Sequence, residues 1–421
     1  MVHLYVLNPT HKLRFVSRLI VKGSKRILKQ VNKQESSQAS SSSSSFTYVE
    51  EKRRPKINIY DLIRDDLPSA PEGDLTRNAE YYRDESEGGF CVFRVENTLF
   101  KILNYIHQVH KCYLLREPSA FGDMFSLPIS PGVREGTSDD APIPLFDTVE
   151  QFEDLLWVLY AIPSQLFSSN DNEGPSIERL LNIAEMTNKY CIASYESWAL
   201  EKLYTLAKNP VGFLRTSSAE VCARALNIAA LCDDRRLLDM ICHRLIPRIL
   251  WSDVEREPFL QVAQNRGLRK MQGVLYYKEL IEMDKASSNS NSRASPSRLI
   301  FPPSLAVEKR MRFLSAHYSL CSLWECVAMD APMFIDHGCP SHAECLSAWT
   351  AMWTEAASAH QTLRHSSVDV LGRLKAMMLI LKKTVRDSEA MTLGCTLAAL
   401  EAITLTRDDI IAGLMDHFQE F

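Results

Sequence analysis

A two-residue step, Glu96-Asn97, separates the runs Val92-Phe93-Arg94-Val95 and Thr98-Leu99-Phe100-Lys101, and constrains the fold more than any other stretch of the chain. Apolar and β-branched runs this close together read as a tight β-hairpin, because Asn tolerates the positive φ that such turns need. Helical spacing follows. His110 to Leu115 leads into Ser119 to Phe125, where Phe121 and Phe125 share one helix face. Ile143 to Phe146 is a third strand candidate. Thr148 with Gln151 three residues on is a capping-box start, followed by the stripe Phe152, Leu155, Leu156, Leu159. Further helices are predicted from Ser176 (Ile177, Leu180, Leu181, Ala184) and from Ser194 (Tyr195, Trp198, Ala199, Leu206). The order of periodicities predicts an α+β unit over Phe90 to Leu206, with short strands beside a helical cluster.

This succession resembles the BTB/POZ domain. The matching residues are Val92 to Val95, Leu99-Phe100-Lys101, Val109-His110, Leu114-Leu115, Ser119-Ala120-Phe121, Met124-Phe125, Phe152 and Leu159-Tyr160. The segments Phe93 to Lys101, Asp123 to Pro128 and Gly136 to Asp140 look like the form common in mushroom-type fungi. The resemblance covers residues 88–207 and implies self-association through the first helix and the neighbouring strand. On that reading the interaction residues are Val92, Phe93, Val95, His110, Tyr113, Leu114 and Leu115, with His110 in a structural role at the start of the first helix. Cys112 to Leu115 are four consecutive apolar positions, more than one buried helix face needs, and a surplus of this kind marks an interaction surface. A twofold dimer would close it. Val133-Arg134-Glu135 stands where BTB adaptors carry a cullin-contacting hydrophobic-x-Glu motif, so Val133 and Glu135 join the candidates. One stretch departs from the family: Ile102 to Gln108 intervenes between the second strand and His110, as a loop or as translated intron sequence, the second being preferred.

Around this block, the 421 residues leave room for further domains. Met1 to Gln34 holds eight Lys/Arg and no Asp or Glu, ahead of the Ser-rich run Ser36 to Ser45. With the Pro-bearing segment up to residue 87 it is predicted to be a disordered tail and linker, and its composition also matches a mitochondrial transit peptide. Residues 217–285 are predicted helical, with stripes Val221, Ala225, Ile228, Ala229 and Leu237, Leu238, Ile241, Leu245. Pro247 is expected to bend or end the second of these helices. One more helix is predicted from Leu260 to Met283. Ser287 to Ser297 is low-complexity and read as a flexible linker (286–298). Residues 299–421 are predicted to be all-helical: Met311, Leu314, Tyr318, Cys321 form one stripe, Leu346, Trp349, Trp353 a second, Leu371, Leu374, Met378, Leu381 a third. Thr406 and Asp409 are read as the start of a last helix bearing Ile410, Leu414 and Phe418.

A net charge of −4 gives no footprint for nucleic acid or an acidic substrate. The longest apolar run, Met391 to Leu405, is interrupted by Glu401 and falls short of a membrane span. The 11 cysteines are scattered and read as reduced thiols of a protein of the cytoplasm or nucleus. Nucleophile-elbow, phosphate-loop, dinucleotide and His-Glu-x-x-His wording is missing, and no catalytic residue or cofactor is predicted. The one metal-like cluster is Cys339, His342, Cys345. Cys339 and His342 at i, i+3 could share a helix face, but Cys345 at i+6 would point away, so buried thiols are the preferred reading over zinc. Ser341 is read as the cap of the Trp349 helix. The expected function is non-enzymatic protein binding: homodimerisation or pairing with another BTB protein, with a cullin-dependent ubiquitin-ligase substrate adaptor as the alternative.

Overall fold

A computed structural model describes residues 76–82, 90–103, 111–126, 136–166, 174–289, 299, 301–335, 338–388 and 390–418. The basic and Ser-rich segments, Ile57 to Leu67, His110 and Val133 to Glu135 lie outside the described residues. The described residues fall into two compact units, 76–266 and 267–418.

The first unit is built on a mixed four-stranded sheet of order β1-β3-β2-β4. The predicted hairpin joins β2 (Phe90–Val95) and β3 (Thr98–Leu103), antiparallel, with Phe93 opposite Phe100 and Val95 opposite Thr98. The positive φ falls on Glu96, at 53°, and not on Asn97. Neighbours fasten the turn there: Arg94 Nε donates to Glu96 O at 3.0 Å, and Glu96 Oε2 accepts from Val149 N at 3.4 Å. The carboxylate thereby sits at the electropositive start of helix α3 (Val149–Tyr160).

Two sequence expectations fail at this sheet. Ile102 and Leu103 are not loop: they extend β3, pairing with Cys91 and Phe90. Residues 76–82 are not linker: β1 (Thr76–Tyr82) runs parallel to β3. An edge strand can be held by backbone bonds such as Thr76 N to Asn97 O (2.9 Å), so it needs no apolar alternation and reads as polar linker. The other edge, β4 (Ile143–Leu145), runs parallel to β2.

Behind the sheet, α1 (Lys111–Leu114) and α2 (Ala120–Ser126) precede β4, and α3 follows it with both halves of its predicted capping box formed between Thr148 and Gln151. Then come α4 (Pro163–Leu166), α5 (Ile177–Lys189, capped by Ser176) and α6 (Ala193–Lys208). Helix α6 does not start on a Ser194 cap. Ser194 is inside the first turn, where Glu117 accepts from its backbone N (3.1 Å) and hydroxyl (2.5 Å). Its buried side chains are Glu196, Ala199, Leu200, Leu203 and Ala207; of the predicted set Ala199 is buried, whereas Tyr195, Trp198 and Leu206 each stand one position before a buried residue. A polar network crosses the helices: Asp154 accepts from Arg179 (2.7 Å) and Asn182 (2.6 Å), and Asn182 accepts from Arg224 (2.5 Å). Arg224 lies in α8 (Ala219–Leu231), which follows the short α7 (Phe213–Thr216).

Pro247 neither ends nor shortens α9 (Arg235–Trp251). It lies on the exposed side, so the His243 carbonyl that loses its partner is left near water, while Arg248 ties the same turn to Leu214 O and Ser217 O at 2.7 and 2.8 Å. The helix predicted from Leu260 to Met283 is two helices, α10 (Glu257–Asn265) and α11 (Arg269–Asn289). The break is at Gly267, φ 63°, a left-handed position that closes α10 and separates the two units. Helix α11 also takes in Ser287 to Asn289 of the predicted linker, with the Ser287 hydroxyl donating to Met283 O.

The second unit adds α12 (Val307–Met329), α13 (His342–Ser358), α14 (His360–Leu363), α15 (Val370–Asp387), α16 (Leu393–Gly413) and a 3₁₀ turn, Leu414–Phe418. Its aromatic centre holds Phe313 and Phe418 (5.7 Å between centroids) and the Trp349–Trp353 pair (5.8 Å). The expected α12 stripe is inverted. Phe313, Ala316, Leu320 and Leu323 are buried, whereas Met311, Leu314 and Tyr318 are exposed. Both sets have helical spacing, and periodicity alone cannot say which one meets a neighbour. On α15 it is Met377, not Met378, that is fully buried. Thr406 caps nothing: it lies within α16, whose N-cap is Thr392, and its hydroxyl bonds back to Ala402 O at 2.9 Å. Among the described residues no helix is long and apolar enough to cross a membrane.

Candidate functional site

In the first unit the expected interaction residues divide by burial. Val92, Phe93 and Val95 have no exposed area and Leu114 has 2%. They are core rather than surface, because β2 is a central strand covered on both faces and Leu114 faces inward from α1. Tyr113 is half-buried, its ring edge-on to Tyr160 at 4.9 Å. Leu115, 42% exposed, is the expected residue that offers area for contact. Phe146, 53% exposed just after β4, and Ile162, 57% exposed after α3, also present apolar surface and were not singled out by the sequence. The strand-helix junction is held by Asp147, which accepts from Lys189 Nζ (2.6 Å) and from the Tyr190 hydroxyl. Burial, then the Asp147 charge, pushes the Tyr190 phenol far above its ordinary range, so it stays a donor and its ring stays stacked on Phe121.

In the second unit three polar side chains meet between α11 and α12. His317 Nε2 is 3.5 Å from Asp284 Oδ1, and His317 Nδ1 is 3.9 Å from Cys321 Sγ. The Asp284 hydrogen bond, helped by Cys321 and opposed by burial, pushes the imidazole up to about 9 from 6.5. At Cys321 burial raises the thiol, but the bonds to His317 and Ser367 outweigh it and hold it below its ordinary value. Because the folded pKa of His317 lies above its unfolded value, its contribution to stability is complete below about pH 6.5 and is lost as pH rises through about 9. Linkage alone would give about 3 kcal/mol between pH 6.5 and 9.5; solvent screening of this half-exposed pair reduces it, and unfolding free energy should fall by about 1–2 kcal/mol across that window. Urea titrations across that window test it, and His317→Gln should flatten the fall; an unchanged slope in that variant would place the titrating group elsewhere.

The third assembly is the cysteine cluster. Cys339 is not on a helix. It follows Gly338, φ 81°, in the turn before α13, so the i, i+6 argument that turned Cys345 away from it does not apply. Cys339 Sγ lies 3.9 Å from Cys345 Sγ, and Cys395, from the first turn of α16, completes a trio whose sulfurs all fall within 4.8 Å of one another. His342 Nδ1 is 3.5 Å from Cys395 Sγ. Thr392 sits among them, its hydroxyl 3.4 Å from Cys339 Sγ and its backbone N donating to Cys345 Sγ at 3.5 Å. The Thr392 hydroxyl holds the Cys339 thiol below its ordinary value. Ser341 occupies the N-cap of α13 without a side-chain cap bond.

No protein-family model, curated protein or solved structure matches the chain. Its function is read from the arrangement of its own residues. Of the sequence candidates, the structure brings Cys339 and Cys345 together and adds Cys395 and Thr392, which no local spacing could have joined to them, while His342 meets the cluster at Cys395. Cys321 stays on α12, engaged by His317 and Ser367.

Proposed function

We propose that the chain is a non-enzymatic protein-interaction protein whose first unit works in the manner of a BTB/POZ domain, associating with itself or with another protein of that kind. The observation that supports this most is the succession of elements: an antiparallel hairpin, two short helices, a strand returning parallel to β2, and the helices α3, α5 and α6 packed behind. That order follows the resemblance carried by Phe93 to Lys101, Leu114-Leu115 and Phe121 to Phe125. Leu115 lies immediately after α1, where the resemblance puts a dimer contact, and a leucine this exposed gains from being covered. The cullin-adaptor alternative rests on Val133 and Glu135, which lie outside the described residues.

Sedimentation equilibrium of the full chain at micromolar concentration tests the proposal. A dimer is expected, and Leu115→Asp should weaken it at least tenfold while leaving the circular dichroism spectrum unchanged, since the site is at the surface. A protein that is monomeric throughout, or a Leu115→Asp variant that associates as tightly as the parent, would overturn this assignment of the contact.

A further inference from the structure

We propose that Cys339, His342, Cys345 and Cys395 form a structural zinc site that pins the turn before α13 to the start of α16.

Four-coordinate zinc with Zn–S bonds of about 2.3 Å and a Zn–N bond of about 2.0–2.1 Å requires tetrahedral edges of about 3.8 Å between sulfurs and about 3.6 Å between sulfur and nitrogen. The Cys339–Cys345 sulfur pair at 3.9 Å and the Cys395–His342 pair at 3.5 Å already meet those edges. All three sulfurs fall within 4.8 Å of one another, and His342, which reaches Cys395 but is not within that range of all three, closes the remaining edges by turning its ring. The donor set, three soft thiolates and one imidazole, selects zinc over magnesium or calcium. It also supplies all four ligands from protein, leaving no open position, as a structural site requires.

Two helix starts bring the ligands together. His342 opens α13 and Cys395 lies in the first turn of α16, so the positive ends of two long helices converge on the sulfurs. Thr392, the N-cap of α16, orients the ligands from outside: its hydroxyl is bonded to the backbone N of Cys395 and lies beside Cys339, and its backbone N donates to Cys345. Cys345 and Cys395 are buried, and Phe334 and Trp349 form an apolar wall in which Phe334 packs edge-on to His342 at 5.4 Å. Cys339 and His342 are half-buried, which leaves a path for the ion to enter. On ligation each thiol releases its proton to water and the sulfur lone pair bonds the metal, with no change in oxidation state. A ligand 53 residues from His342 in sequence closes the set, so metal binding and folding of this unit are linked.

The full chain, purified under reducing conditions without chelator, should carry about one zinc per chain by elemental analysis. Exchange with cobalt should give the intense visible bands of a tetrahedral thiolate site. Cys395→Ser should lower zinc content at least fivefold. If that variant does not fold, His342→Cys decides: it should retain the metal and shift the cobalt spectrum toward an all-sulfur set. A reduced, folded parent that takes up neither zinc nor cobalt overturns the proposal. So does a parent in which Cys339 and Cys345 are found as a disulfide while any bound metal is unaffected by changing Cys395 or His342.

Discussion

Phe93→Ala is expected to destabilise the first unit by about 3–5 kcal/mol, the usual cost of emptying a buried aromatic site. Phe93 has no exposed area, and its ring meets Phe121, Phe125 and Phe152 at centroid distances of 5.9, 6.4 and 5.8 Å. Those rings come from β2, α2 and α3, so the cavity opens where the sheet meets both helices and no single element can collapse into it. Domains are typically stable by only about 5–15 kcal/mol, so this one change removes a large part of the margin. Denaturant midpoints followed by near-ultraviolet circular dichroism measure it. Phe125→Ala is the control: Phe125 is half-buried and should cost clearly less. Equal losses from the two substitutions would mean that Phe93 is not the centre of this core.

Asp369→Ala should cost the second unit about 2–4 kcal/mol, chiefly through the loss of a helix cap and of a buried acceptor, with the His365 Nδ1–Asp369 Oδ2 contact at 3.2 Å lost as well. Asp369 is the N-cap of α15, its Oδ1 accepting from Gly372 N at 2.9 Å. The same oxygen accepts from the Tyr277 hydroxyl at 3.2 Å, and that hydroxyl accepts in turn from Leu371 N at 2.9 Å. Tyr277 is buried, and burial together with the Asp369 charge raises its phenol well above the ordinary value, so it remains a donor that must have an acceptor. Alanine removes the cap and strands that donor; asparagine keeps a capping oxygen and should cost less than half as much. A double-mutant cycle with Tyr277→Phe separates the two losses, and the pair should cost less than the sum of the singles. Strict additivity would show that Tyr277 and Asp369 do not act together.

What the amino-acid sequence determined by itself is local. The Glu96-Asn97 hairpin, the Thr148–Gln151 capping box and the helix start at Ser176 all follow from residues within four positions of one another, and each is present in the structure. Even there, neighbours adjusted the detail, moving positive φ to Glu96 and the start of α6 ahead of Ser194, where Glu117 reaches across to hold it. The candidate metal site was half legible: Cys339, His342 and Cys345 stand within seven residues, but their geometry depends on where α13 begins, and the fourth ligand arrives on another helix. Tertiary structure alone decided the rest. A polar strand, β1, exists because β3 offers it a free edge, and α12 buries Phe313 rather than Met311 because that side meets the Tyr276 and Phe418 rings. Caps and turns are settled by hydrogen bonds that a short segment makes with itself. Edges, buried faces and shared ligands are settled by which distant surface comes to lie opposite, and local spacing carries no record of that.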